Sequence, residues 1–103
     1  MSAYAVELRM AGHISRTARR IIAMTYVYLL RSISVPRQRY VGKTDDLQRR
    51  LAEHNAGKSV YTRKYAPWRL VVAVAFEDDR RAAEFERYLK TGSGHAFADR
   101  HFW

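Results

Sequence analysis

Residues 25–30 read Thr-Tyr-Val-Tyr-Leu-Leu, six successive side chains that are β-branched, aromatic or aliphatic. A strand with one wet face alternates polar and apolar residues, and this run does not. It is therefore expected to be a central strand covered on both faces. The rest of the chain must supply that cover. Ser32 to Gln38, with Pro36 inside it, reads as a connecting turn, and Arg39-Tyr-Val-Gly42 as a short antiparallel partner strand. Thr44 followed by Asp45 and Asp46 marks a helix start, a capping hydroxyl and then acids at the positive end of the dipole. That helix should run to about Ala56 and stop at Gly57.

Residues 58–68, KSVYTRKYAPW, form a basic and aromatic loop. Arg69 to Phe76 is almost continuously apolar and reads as a third, buried strand. Asp78 or Asp79 caps a second helix reaching about Thr91. Gly92-Ser-Gly94 breaks it, and Ala96 to Arg100 form a last turn or short helix. The order β-β-α-β-α(-α) predicts an α+β domain: a small three-stranded antiparallel sheet flanked by helices. It spans residues 24–103. Residues 1–23 carry four arginines against the single acid Glu7 and show no sustained periodicity. They read as a basic, mobile leader, with Met24 as an alternative start of translation.

Charge narrows the partners. Nineteen Lys and Arg against ten Asp and Glu give a net +9, and residues 24–103 still hold 15 basic and nine acidic side chains. That excess points to a polyanion, nucleic acid first. The absence of cysteine excludes disulfides, thiolate zinc sites and a Cys nucleophile. No run approaches the ~20 apolar residues of a membrane span, so the expectation is a cytoplasmic protein with no membrane partner.

Polar residues on apolar faces mark the candidate site. Leu47 and Leu51 set the inward stripe of the first helix, and Arg50 and His54 fall beside it. In the second helix Ala82, Phe85 and Leu89 mark the buried stripe, and Glu86 shares it. A carboxylate there is desolvated unless it is paired or binds a cation; Lys90 at i+4 and Arg50 are the paired alternatives. Glu84 projects away. Tyr26 and Tyr28 share one strand face, and hairpin pairing brings Tyr28 near Tyr40. Gly42-Lys43 would let the backbone approach a phosphate closely, without the frame of a P-loop.

Taken together, these residues resemble the GIY-YIG nuclease family, and most resemble its small stand-alone bacterial members. The first signature matches Tyr26-Val27-Tyr28, with Tyr26 in place of the usual Gly, and the second matches Tyr40-Val41-Gly42. The family's helical Arg and His fall ten and fourteen residues after the second-motif Tyr, at Arg50 and His54. Its metal-binding Glu matches Glu86 within Ala83-Glu-Phe-Glu-Arg-Tyr-Leu-Lys90. The late Asn of some relatives has no counterpart here. Each element alone is common; five in order over residues 25–101 are specific.

The resemblance implies a metal-dependent endonuclease that hydrolyses phosphodiester bonds. Glu86 would hold one divalent ion, Mg²⁺ or Mn²⁺. Tyr40 would be the general base for water, or its orienter. A free phenol with a pKa near ~10 is a poor base at neutral pH, so Lys43 and Arg50 would have to favour its ionised form. Arg50 would also neutralise the transition-state phosphate, and Tyr28 and His54 would orient the water or share its proton. Lys43, Lys58, Tyr61, Arg63 and Lys64, with Trp68, would bind nucleic acid without reading sequence, phosphates on cations and bases on rings. The expected substrate is DNA, branched or damaged, in a repair setting. RNA fits the charge equally well, and a separate protein could supply specificity. The alternative is a non-catalytic DNA- or RNA-binding module that retains the fold.

Overall fold

The computed structural model describes residues 23–103. The basic leader expected over residues 1–23 lies outside them, Ala23 apart. Strand β1 (Thr25–Ser32) is the centre of a three-stranded antiparallel sheet, flanked by β2 (Arg39–Thr44) and β3 (Trp68–Phe76) in the order β2-β1-β3. Register sets Tyr28 opposite Gly42 and Leu30 opposite Tyr40. On the other side Leu29 faces Val72 and Leu30 faces Leu70, so the ladder slips past Val71.

The central run is covered as its composition requires. Val27, Leu29 and Leu30 are wholly buried and Tyr28 nearly so. Alternation sends Val27 and Leu29 to one face, where α2 (Asp79–Leu89) and α3 (Gly92–His101) supply Ala82, Leu89 and Ala98. Tyr28 and Leu30 go to the opposite face, against Leu47 and Leu51 of α1 (Leu47–Asn55) and against Trp68. Two small cores thus share one strand. No helix among the described residues is long and apolar enough to cross a membrane.

Three local expectations change. Strand β3 is an edge strand rather than a buried one: Trp68 is covered, but the rest is half-buried or exposed. Its apolar run serves the helices packed on it, not a neighbour on each side. Thr44 does not cap α1. It stays in β2 and its hydroxyl accepts from the Asp46 amide at 3.1 Å, while Asp46 becomes the cap and accepts from the Arg49 amide at 3.0 Å. The helix then ends at Asn55, with Gly57 in the left-handed region at φ 76°.

The third difference is Gly92-Ser-Gly94, which opens α3 instead of interrupting it. Helix α2, capped by Asp78, ends at Leu89; Thr91 then caps a ten-residue helix. The Thr91 hydroxyl donates to the Tyr88 carbonyl at 2.6 Å and accepts from the Gly94 amide at 3.1 Å, closing one helix and starting the next. Glycine is needed at 94 for space, since a Cβ there would fall on the Tyr88 carbonyl. At Gly92 a Cβ meets nothing within 4 Å. Gly94→Ala should therefore cost roughly 1–3 kcal/mol, lowering the thermal midpoint by about 4 °C or more. Gly92→Ala should leave the midpoint unchanged or slightly raised. Calorimetry on the pair checks this.

Candidate active site

On the α1 face of the sheet, Tyr28 of β1 lies opposite Gly42 of β2. The phenol crosses the strand where a side chain would stand. A Cβ on Gly42 would overlap Tyr28 Oη and Cζ and come within 2.9 Å of Tyr40 Cε2. The glycine read from sequence as room for a phosphate is, in the fold, room for two tyrosines. Their ring centroids lie 6.3 Å apart.

Helix α1 adds Arg50 and His54, four residues apart on one face. His54 is fully buried rather than at the boundary. Its Nε2 is 2.8 Å from Tyr28 Oη and its Nδ1 is 2.6 Å from Thr62 Oγ1, so both nitrogens are engaged. The imidazole also meets Tyr40 edge-on, at 5.1 Å between centroids. Thr62 is likewise fully buried, and its carbonyl accepts from Trp68 Nε1 at 2.8 Å. Among the described residues no buried side-chain polar atom lacks a partner. The chain Thr62–His54–Tyr28 is thus a closed polar seam in an apolar wall.

Its electrostatics follow from burial. Desolvation pushes the Tyr28 phenol up to about 12, with Arg50 opposing the rise and the charges of Tyr40 and Glu86 adding to it. Burial lowers the His54 imidazole, helped by the Arg50 cation and opposed by Glu53. Both groups are therefore neutral at pH 7. Arg50 is raised, first by its bond to Glu53 (Nη1 to Oε1, 3.0 Å) and then by Tyr28. The guanidinium reaches Tyr28 and feels the charge of Tyr40.

The other expected residues divide. Glu86 comes from α2 with its side chain 23% exposed, near enough for its charge to act on Tyr28, and holds Lys90 Nζ at 3.3 Å. Of its two paired alternatives the helix neighbour is the one realised. Lys43 does not join the tyrosines. It alternates with Val41 onto the other face of β2 and sits 3.1 Å from Asp79 Oδ1. Of the two cations expected beside Tyr40, only Arg50 is there. Tyr61 is 81% exposed on the loop after α1, with Lys58, Arg63 and Lys64 also exposed. Trp68, expected among the base-stacking rings, is buried against the sheet, with its centroid 6.5 Å from that of Tyr40.

Sequence reading missed Thr62 and Glu53, and took Asp79 only as a candidate helix cap rather than as the partner of Lys43. Thr62 gives no periodic signal, because it sits in an irregular basic loop and meets His54 only through the fold. Among the described residues no three His, Asp or Glu gather into a metal cluster. His54 is engaged at both nitrogens and offers none to a metal, and the carboxylate that the family resemblance assigns to one, Glu86, is held by Lys90. One hard oxygen donor suits an Mg²⁺-like ion that keeps waters and takes phosphate oxygens; it does not suit tetrahedral zinc.

A buried neutral imidazole links stability to pH. Its folded value lies below the ordinary 6.5, so the unfolded chain binds more protons on acidification and stability falls as pH drops below about 6.5. Thermal unfolding between pH 8 and pH 5 should show this fall, and His54→Gln should flatten it. With the phenol protonated, its O–H is assigned as donor to His54 Nε2 and the ring proton to Nδ1, donated to Thr62 Oγ1. Thr62→Val should cost about 1–3 kcal/mol and shift the imidazole ¹⁵N signals away from the Nδ1–H pattern.

Comparison with known proteins places this site in a family. The sequence profile of the GIY-YIG catalytic domain matches residues 24–96. The structure-specific endonuclease subunit SLX1 of Candida dubliniensis is 40% identical over 82 residues, 73% of this chain and 27% of that protein. A UPF0213 protein of Clostridium perfringens is 38% identical over 68 residues, 65% of this chain and 71% of its own length. The solution structure of a UPF0213 protein from Bacillus halodurans, 31% identical, superposes with a TM-score of 0.46 over 75% of this chain and 83% of its own. The chain spans only about a quarter of the fungal subunits it matches. With the profile covering most of its length, and with Tyr28, Tyr40, Arg50 and His54 gathered on one sheet face, the chain belongs to the GIY-YIG family.

Proposed function

We propose that this protein is a metal-dependent endonuclease hydrolysing phosphodiester bonds in DNA. The observation that carries the reading is the convergence of Tyr28, Tyr40, Arg50 and His54, with Glu86 electrostatically coupled to Tyr28 from another helix. A nucleic-acid-binding surface needs cations; it has no use for a buried phenol–imidazole–hydroxyl seam beside a guanidinium and a carboxylate.

Tyr28, pushed up to about 12, keeps its proton at neutral pH and, with Oη held by His54, fixes the wall of the site against which Tyr40 and the substrate are set. Proton removal then falls to Tyr40, whose ring stands edge-on to His54. Arg50 meets the charge that grows on the phosphate in the transition state. His54, held by Thr62 and neutral, fixes Tyr28. Glu86 would hold the divalent ion, Mg²⁺ or Mn²⁺, which when bound relieves charge on the departing 3′ oxygen. Lys90 must leave Glu86 for that to happen; their exposed pair is weak enough to allow it. Lys58, Tyr61, Arg63 and Lys64 form a sequence-independent contact to the strand, and Lys43 serves as a phosphate contact in place of a phenol activator. Branched DNA as substrate and a protein partner belong to the same reading, supported by the name of the structure-specific endonuclease subunit it resembles.

Wild type and Glu86→Ala should be compared on plasmid, flap, junction, single-stranded DNA and RNA, with Mn²⁺ or EDTA. The substitution should cut cleavage by on the order of a hundredfold or more while affinity stays within about twofold, and EDTA should have the same effect. Equal nicking by both proteins, or full activity in EDTA, overturns the assignment. Binding with no cleavage in any arm favours the DNA- or RNA-binding module.

A further inference from the structure

Along the outer edge of β2 lies a cleft of about 370 Å³ that the proposed reaction does not use. Arg37, Arg39, Tyr40, Lys90, His95 and Trp103 line it, over an apolar floor from Val41, Leu89 and Ala98. We propose that this cleft is a second nucleotide subsite, holding a phosphate and the attached nucleoside next to the bond being cut; the proposal rests on the nuclease reading.

Position comes first. Tyr40 borders both places: its ring meets His54 at 5.1 Å on the α1 face, and the residue is also part of the cleft wall at the β2 edge. Lys90, on the opposite wall, is the residue paired with Glu86. The cleft therefore adjoins the reactive cluster at its tyrosine and at its carboxylate, as a neighbouring nucleotide requires.

Charge comes second. Arg39 is held by Asp99 at 3.0 Å and Lys90 by Glu86 at 3.3 Å. Arg37 and His95 have no ion pair among the described residues. Both are exposed, so a phosphate can be taken up without breaking an existing pair.

Shape comes third. Trp103 is not a loose ring: the Arg39 guanidinium lies 4.7 Å from its centroid and that of Arg31 lies 5.3 Å away. Arg31 Nη2 also donates to the Trp103 carbonyl at 3.4 Å. A bare inorganic anion has no need of a fixed indole wall and an apolar floor, and an apolar ligand has no need of an uncommitted guanidinium and imidazole. A nucleotide uses both. The volume sits at the small end of ligand sites, about 300–1,000 Å³, which fits one nucleotide and not a duplex.

Two measurements test it. Thymidine 5′-monophosphate titrated into the protein and followed by NMR should shift His95, the Trp103 indole and the Arg39 amide most. Shifts confined to the Tyr61–Lys64 loop or to His54, or none at all, overturn the subsite. This arm needs no cleavage and so stands even if the nuclease reading fails. In the second arm, Arg37→Ala/His95→Ala is compared with Arg80→Ala/Arg81→Ala, which alters two exposed cations outside the cleft. The first pair should raise KM for single-stranded DNA about tenfold with kcat within about twofold. It should also reduce the salt slope of binding by about 1. If both pairs behave alike the subsite is wrong, while loss of cleavage in Glu86→Ala would leave the nuclease reading intact.

Discussion

A phenol lying across a strand position that has no side chain is the contact on which this site is built. Tyr28 occupies the space above Gly42, and a single methyl group there would collide with its oxygen and its ring. That close approach lets the phenol reach His54 on a helix that packs over the same face. It also brings Tyr40 alongside. The arrangement is rigid because Tyr28 belongs to the one strand covered on both sides, so the reactive face is anchored in the same residues that hold the domain together.

Access to solvent divides the labour among these groups. Tyr28 and His54 are sealed from water, and desolvation keeps both uncharged at neutral pH. Arg50 and Glu86 remain partly exposed, each already paired with an acid or a base of its own helix. The neutral members set geometry, and the charged members stay available for exchange with a ligand. Part of the positive charge among the described residues is managed in the same way. Arg39, Lys43, Arg49, Arg50, Arg80 and Lys90 all have acidic partners, so the net excess is concentrated on the cations that have none.

Much of this was legible in the sequence, for identifiable reasons. Strand β1 declared itself because six β-branched, aromatic or aliphatic side chains in a row leave no wet face, and the hairpin pairing that joined Tyr28 to Tyr40 comes with its neighbour. Arg50 and His54 were visible as polar residues beside an apolar stripe, and Glu86 as a carboxylate within one. The features that stayed hidden depended on contacts between distant segments. Thr62 has no pattern to betray it. Trp68 was read with its loop, although the strand that buries it starts at that residue. Lys43 comes directly after a glycine that faces the site, yet strand alternation turns it to the other side. The glycines at 92 and 94 look like a break because sequence registers their flexibility and not the helix packing that leaves no space for a side chain at 94.

The junction between α2 and α3 has a reach beyond its size. One threonine hydroxyl ends the first helix and begins the second. Glu86 and Lys90 stand on one arm of that elbow and His95 on the other. The angle at which carboxylate, ammonium and imidazole look at one another is therefore fixed by two hydrogen bonds converging on a single oxygen. A change at residue 91 alone would re-aim those three groups without altering any of them, so their mutual spacing can be tuned from outside the residues themselves.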